Sequence, residues 1–576
     1  MGRKGDERMR TRITGRLGVL GVGVLAASLA LMACAEPTET DPDAPEAPAT
    51  EEASEEGERE SAAEPAADDD ARTLRVAIPD DVETLDPAFG QSELTNLVLK
   101  NVYLQPIQYL PGEFEQGVAY ADTTSYEGQS VESWEFSDDF RTLTFELREG
   151  MTFPTSGNPV TGEDFVWTIE RALETEAGPA WVWGNLGLTS MDQVELVNES
   201  TVVLSDLRPS AIMEPLLRDQ TLGLIDSVEV SSHATDDDPW ALAWLSQNYA
   251  GNGRYLVDNW DSGARMDLVA NPEWPGGEPY FNRIELQVVP ESSNRLALLQ
   301  NGDVDIALDL STQELQQAAG SDGVDVLSIA DRQALNLGMN LRQEPFDSLE
   351  VRQALSYAVP YGDIVDGVLQ GRAVPSEGPI SVHSRYYDLF DLGDLWPYEH
   401  NPERAEQLLA EAGYEDGFSF ELITPQGLPF VEATAANLRA AFSDVGVEMT
   451  ITPVSSAAMA ERLAQREFDA FLRGYLTDYV DDPYYHFFLW WGTDTVLNWV
   501  GYSDPGVDAV LEDTAEIVED EPRQEPYREA IGQVIDDAPM LWMANANFTL
   551  AMRDDITSYV HHPDTLLFFS ELEREG

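Results

Sequence analysis

The sequence predicts an α/β protein built as two lobes, on three observations. Residues 418–474 alternate strand and helix with short links, as a parallel sheet requires. Residues 283–310 read as a second βαβ unit, about a hundred residues upstream. The chain has 576 residues and is 43% hydrophobic, enough for more than one sizeable core.

The elements follow from the chain in order. TLRVAIP (73–79) is rich in β-formers and reads as a strand, with the turn-rich DVETLDPAFG after it. TLTFELREG (142–150) is another strand. In NPVTGEDFVWTIERALE (158–174), Thr161 and Asp164 have the spacing of a helix N-cap with an acidic first turn. Phe165, Ile169 and Leu173 then share one helical face. RIELQVVP (283–290) is a strand, ESSNRLALLQNG (291–302) a helix ended by Gly302, and DVDIALDL (303–310) a strand. FSFELIT (418–424), VEMTITPV (447–454) and FDAFLRG (468–474) are strands separated by two helices, the first closed by Gly446. Open sheets of this kind bind ligands outside the carboxyl ends of their strands. Asp478 lies just past the last strand.

That position falls inside YLTDYVDDPYYHFFLWW (475–491), where eight of seventeen residues are aromatic and three are aspartates. Such a stretch either fills a ring-rich core or lines a site. Phe487, Phe488, Trp490 and Trp491 recur at spacings of three and four, as core residues of a helix do. Asp481 and Asp482 precede Pro483, which suits a turn or a helix cap. Tyr475 and Tyr479 flank Asp478 and are expected to face the cleft.

The ends and the charge narrow the function. Arg10, Arg12 and Arg16 lead into LGVLGVGVLAASLALMA (17–33), the plan of an export signal. It meets the single cysteine, Cys34, as LMAC, which resembles the bacterial lipobox, so Cys34 is expected to carry lipid and become the mature N-terminus. With one cysteine, no disulfide forms within the chain. Residues 35–71 hold fifteen acidic residues among 37, with one basic residue, Arg59. Such a segment cannot bury enough apolar surface to order itself. As a coil it spans about 30–36 Å, an acidic tether between lipid and folded body. No later stretch has the apolar length to cross a bilayer. Formal net charge is −73, and −77 once residues 1–33 are removed. It excludes nucleic acid as a partner and docking on anionic lipid. The Asp and Glu excess, with only Lys4 and Lys100 as lysines, points to a salt-rich habitat.

From residue 72 on, an ordered series of segments resembles the large extracytoplasmic solute-binding proteins of peptide and nickel ABC importers (solute-binding protein family 5). The segments include TLDPAFG (84–90), FPTSGNPVTGEDFVWTIERAL (153–173), GNGRYLVDNW (251–260), LNLGMNLRQEPFDSLEVRQALSYAV (335–359), NPERAEQLLAEAGY (401–414) and FDAFLRGYLTDYVDDP (468–483). Arg254 stands where the family pattern has Pro, and Pro154 where it has His. The resemblance implies a class II periplasmic-binding-protein fold of the large type. Lobe I comprises 72–118, 232–332 and 540–576, an extra subdomain spans 119–231, and lobe II spans 333–539, with a hinge at the crossings. It implies a monomeric, cofactor-free, non-enzymatic lipoprotein on the outer face of the cytoplasmic membrane, delivering peptides to ABC permease subunits with their ATPases. By the same resemblance, Asp478 in TDY pairs with the ligand's α-ammonium, a charge-assisted bond that reads no side chain. Arg473 is a candidate for the ligand's carboxylate.

Other readings compete. The thirteen Trp suit stacking on an oligosaccharide. A nickel or metallophore receptor would need more than the His561–His562 pair, which reads as a surface turn before Pro563. A sensory, ligand-presenting role needs only binding. A hydrolase lacks its motifs: there is no G-x-S-x-G and no H-E-x-x-H.

Overall fold

The computed structural model describes residues 72–575, apart from 91, 275, 477 and 478. Among the described residues, eleven strands form one mixed sheet. Its first half is centred on Thr73–Ile78, which pairs in parallel with Arg283–Val288 on one side and Ile306–Ala307 on the other. The helix between those two strands, Ser292–Asn301, ends at Gly302 with φ 77°, where its N–H caps Leu298 and Leu299 carbonyls. This is the upstream βαβ unit expected from the sequence. Its last strand is shorter than the 303–310 expected. Just before it, Asp305 bonds Arg75 twice, its N–H to the Arg75 carbonyl and its carboxylate from Arg75 N, both at 2.7 Å, and pairs with Arg574.

The second half holds Phe418–Pro425, parallel to Val447–Val454 and to Ala470–Leu476, with helices Pro429–Asp444 and Ser456–Gln465 between them. Here the alternation predicted from sequence is what the chain forms.

Two long antiparallel strands join the halves: Val324–Met339 and Met540–Arg553. Val324 to Ile329 pair with Phe548 to Arg553 beside the first half, and Gln333 to Gly338 pair with Met540 to Ala546 beside the second. The register is broken between Ile329 and Gln333, where the chain passes from one half to the other. An interrupted ladder at such a crossing is a place where a hinge between halves can form.

A separate four-stranded antiparallel sheet, Val131–Phe136, Leu143–Leu147, Thr201–Leu204 and Val194–Leu196, packs against helix Gly162–Thr175. That helix starts as expected: Asp164 Oδ2 accepts from Thr161 N at 2.9 Å and from Thr161 Oγ1 at 3.0 Å. Arg171, near its end, forms a buried bidentate pair with Asp86 of the TLDP turn, so two of the conspicuous sequence segments bind each other. The largest apolar cluster is continuous from this small sheet (Phe145, Phe165, Trp183, Leu204) to the second half of the large one (Leu337, Leu422, Phe487, Trp542).

A buried charge cluster ties the small sheet's neighbourhood to the C-terminal segment. Arg218 and Asp564 form an ion pair 1% and 5% exposed, and Arg218 also stacks over the Tyr109 ring, 4.3 Å from its centroid. Beside them, buried Lys100 donates to the Arg218 carbonyl. Burial, reinforced by the Arg218 cation, pushes the Lys100 amine down to about 7. In the unfolded chain the amine keeps its proton to about pH 10.4. Between those values the unfolded state binds the extra proton, so stability rises with pH across that window. Lys100→Met is therefore expected to remove this slope. In urea unfolding, its stability relative to wild type is greatest at pH 6 and declines steadily by pH 10.

Candidate functional site

The face of the sheet's second half carries a cleft with an empty volume of about 590 Å³, its open mouth included. Period-two alternation builds its floor. Arg332, Ala334 and Asn336 project from one face of Val324–Met339, Met540 and Trp542 from the neighbouring strand, and Leu476 from the end of Ala470–Leu476. The walls are loop residues 379–384 and the segment 480–491, whose helix Pro483–Trp490 is buried along most of its length. The cleft thus sits beyond the carboxyl end of the last parallel strand, where the fold class places ligands.

Two carboxylates among the described lining residues, Asp481 and Asp482, are each paired with an arginine. Arg332, at the broken register between the halves, lies 3.3 Å from Asp481. Asp481 also accepts from Ser384 Oγ at 2.6 Å and Arg385 N at 3.2 Å, so the loop that forms one wall is held by the same carboxylate. Asp481 thus lines the cleft and also accepts from the first N–H of helix Arg385–Leu389, a capping contact of the kind its place before Pro483 suited. Asp482 does cap the helix: its Oδ1 accepts from Tyr484 N at 2.7 Å. It is also 5% exposed and paired bidentately with buried Arg523, at 2.8 and 2.9 Å. The Tyr386 hydroxyl lies 2.8 Å from its Oδ2.

Asp478 lies outside the described residues. Of the described residues around it, Leu476 and Val480 line the cleft and Tyr479 does not. Tyr475 is not among the lining residues; its ring stacks on Phe430, centroids 4.4 Å apart. Arg473 is exposed, with its guanidinium 5.4 Å from the Trp499 ring centroid. The reason is a register shift. Strand Val324–Met339 pairs Leu335 with Tyr475 but Leu337 with Leu472, and Gly474, at φ 117°, takes up the irregularity. Sequence alternation alone does not show such a shift.

Tyr479 makes a contact between the parts of the molecule. Its hydroxyl donates to Asp219, which belongs to the segment beside the small sheet, with Gln220 Oε1 at 3.5 Å. Burial and the neighbouring carboxylate push the Tyr479 hydroxyl well above its usual range, so it stays a donor. Nearby, Trp181 stacks on Phe488 at 6.3 Å. These contacts hold the cleft wall against the small sheet. Tyr479→Phe removes one of them while Asp219 keeps its bonds from Thr221 N and Oγ1. The expected outcome is a ligand dissociation rate about three- to tenfold faster by stopped flow, with little change in melting temperature.

The later rings of 475–491 do pack, as their spacing implied, with Phe487 fully buried. Yet Trp490 and Trp491 are at once core and cleft wall, because the short helix is covered on one side by the lobe and borders the cleft on the other. His561 and His562 are not on a surface turn. They are 4% and 0% exposed, the first ending strand Tyr559–His561 beside Asp331 at 3.4 Å, the second 2.9 Å from Glu571.

Comparison with known proteins agrees with this architecture. The chain is 27% identical over 489 residues to the probable D,D-dipeptide-binding periplasmic protein DdpA of Escherichia coli, covering 84% of this chain and 90% of that one. Among solved structures it resembles the periplasmic binding protein DppA from Helicobacter pylori in complex with peptide STSA (TM-score 0.73, 20% identity, 88% of this chain and 98% of that one). It also resembles the dipeptide binding protein from a Pseudoalteromonas species in complex with Met-Leu (TM-score 0.72, 18% identity, 87% and 100%). The model of the bacterial extracellular solute-binding proteins, family 5, matches residues 125–496. With its two-lobed α/β fold and a cleft beyond the strand ends, the chain belongs to that family of binding proteins and is not an enzyme.

Proposed function

We propose that this protein captures short peptides in the cleft and hands them to the permease of an ABC importer. The observation that carries the reading is the cleft's charge pair, Arg332 with Asp481, at the junction of the two sheet halves. A ligand carboxylate can take the place of Asp481 on Arg332, while Asp481 keeps its bonds from Ser384 Oγ and Arg385 N. The peptides named with the relatives support the same class. Asp478, two residues beyond Leu476, is proposed as the ligand's ammonium partner. Cys34 is proposed as the lipidated N-terminus, residues 35–71 as the tether, and a monomer in a salt-rich setting as the working form. The lobe limits 72–118, 232–332 and 540–576, with 119–231 and 333–539, are proposed as drawn from the sequence. The permease and its ATPases are the proposed partners.

Isothermal titration tests this. Micromolar or tighter binding of dipeptides, with none for maltooligosaccharides or nickel–histidine, is the expected result. Binding of a sugar or a nickel complex in place of peptides overturns the ligand class while leaving the fold untouched.

A further inference from the structure

The C-terminal segment that carries His561 grips the crossing between the two halves. At the broken register of Val324–Met339, Arg332 lines the cleft while its neighbour Asp331 meets strand Tyr559–His561, which runs in parallel beside Val118, Ala119 and Tyr120. His561 Nε2 lies 3.4 Å from Asp331 Oδ1, and the same oxygen accepts from Arg332 N at 2.7 Å. Two residues on, the Pro563 carbonyl accepts from Arg332 Nη2 at 3.4 Å. The segment 561–563 therefore reaches Arg332 twice, through Asp331 to its backbone and directly to its guanidinium.

The pair is closed off from water: Asp331 is 3% and His561 4% exposed. Phe548 packs on the imidazole with centroids 5.2 Å apart, and the Tyr120 ring meets it edge-on at 5.7 Å. The other ring nitrogen, Nδ1, is 3.2 Å from the Tyr559 hydroxyl. Asp331 Oδ2 has no hydrogen-bond partner among the described residues. A carboxylate buried in this way needs a counter-charge. Protonated His561 is one source, and Arg332, next in the chain, is the other. The further groups that feel the Asp331 charge do not supply one. Tyr559 and Tyr120 flank His561, with Glu571 and Asp564 acting on Tyr559 from beyond, and Glu93 comes from helix Glu93–Val102. His383, in the loop that walls the cleft, is held below its usual range by burial, which favours its neutral form.

We propose that His561 and Asp331 position Arg332 for the ligand: protonated His561 neutralises Asp331 and leaves the Arg332 guanidinium to the ligand's carboxylate. The inference rests on the reading in which Arg332 takes that carboxylate, and goes beyond it. Neither His561 nor Asp331 is among the residues lining the cleft, so both act through Arg332. Histidine is the side chain that ordinarily changes charge between about pH 5 and pH 8. When His561 gives up its proton to solvent, Asp331 draws on the neighbouring guanidinium and competes with the ligand for it. Proton and ligand then favour each other's binding, and that coupling is reciprocal.

Titration calorimetry of Gly-Leu and Leu-Gly with the purified full chain tests it between about pH 5 and pH 7, where a dipeptide keeps both end charges. Wild type is expected to bind about fivefold more tightly at the lower pH and to take up part of a proton on binding at about pH 6, read from buffers of different ionisation enthalpy. His561→Gln keeps a neutral donor and removes the titration. It is expected to bind at the weaker level throughout, with no proton uptake. Asp331→Asn removes the competing charge and is expected to bind at the tighter level throughout. The opposite levels separate positioning from damage, since a disrupted crossing weakens both variants. A flat wild-type profile overturns the proposal, as does a slope that persists in His561→Gln and vanishes in His383→Gln. Weak binding by both variants at every pH overturns the competition for Arg332 and leaves peptide binding standing. Failure of wild type to bind either dipeptide at about 1 mM overturns the peptide reading and this inference with it.

Discussion

Asp482→Ala is expected to destabilise the protein by about 3–5 kcal/mol, the largest effect of any single change considered. The carboxylate does three things at once. It caps helix Pro483–Trp490 through Tyr484 N, it accepts from Tyr386, and it neutralises Arg523, whose side chain is 1% exposed. Removing it leaves a buried guanidinium with only the partly exposed Asp520 as counter-charge, at 2.6 Å. The cap alone accounts for about 1 kcal/mol. The double variant Asp482→Ala with Arg523→Met is expected to recover much of the loss, because no unpaired charge then stays buried. Urea unfolding of the two variants checks both statements. A single variant as stable as wild type would mean that the pair does not hold the cleft wall.

Asp478→Ala carries the largest expected effect on binding. A charge-assisted bond to the ligand's ammonium contributes about 1.5–3 kcal/mol, so dipeptide affinity should fall about tenfold to a hundredfold, with the melting temperature unchanged. The chemistry supplies its own control. N-acetylation removes the ammonium, so acetylated dipeptides should bind wild type and variant alike. Affinity in wild type should also decline above about pH 8, where the α-amino group loses its proton. Equal loss on acetylation in both proteins would separate Asp478 from the ammonium.

Much of this was legible in the sequence, and the rest failed for identifiable reasons. Alternation of β-rich and helical stretches marked 418–474 correctly because each element there is local: its strands pair through helices of ordinary length. Gly302 and Asp164 were readable because caps are decided within a few residues. The joining of both halves into one sheet was not readable, since it depends on Val324–Met339 and Met540–Arg553 pairing across more than two hundred residues. The site divides in the same way. One cleft wall falls within the stretch 475–491, but local spacing does not assign roles to its residues. Asp481 became a cleft residue through Arg332, and Tyr479 a contact to Asp219, both distant in the chain. Arg332 itself carried no sequence signal. Only the arrangement of the floor strands brings it to the cleft.

The most direct test of the central claim is to purify the protein in high salt without unfolding it and identify by mass spectrometry what comes with it. The account predicts a set of short peptides, present in wild type and depleted in Asp478→Ala. A single saccharide or metal complex, equally abundant in both proteins, would contradict it.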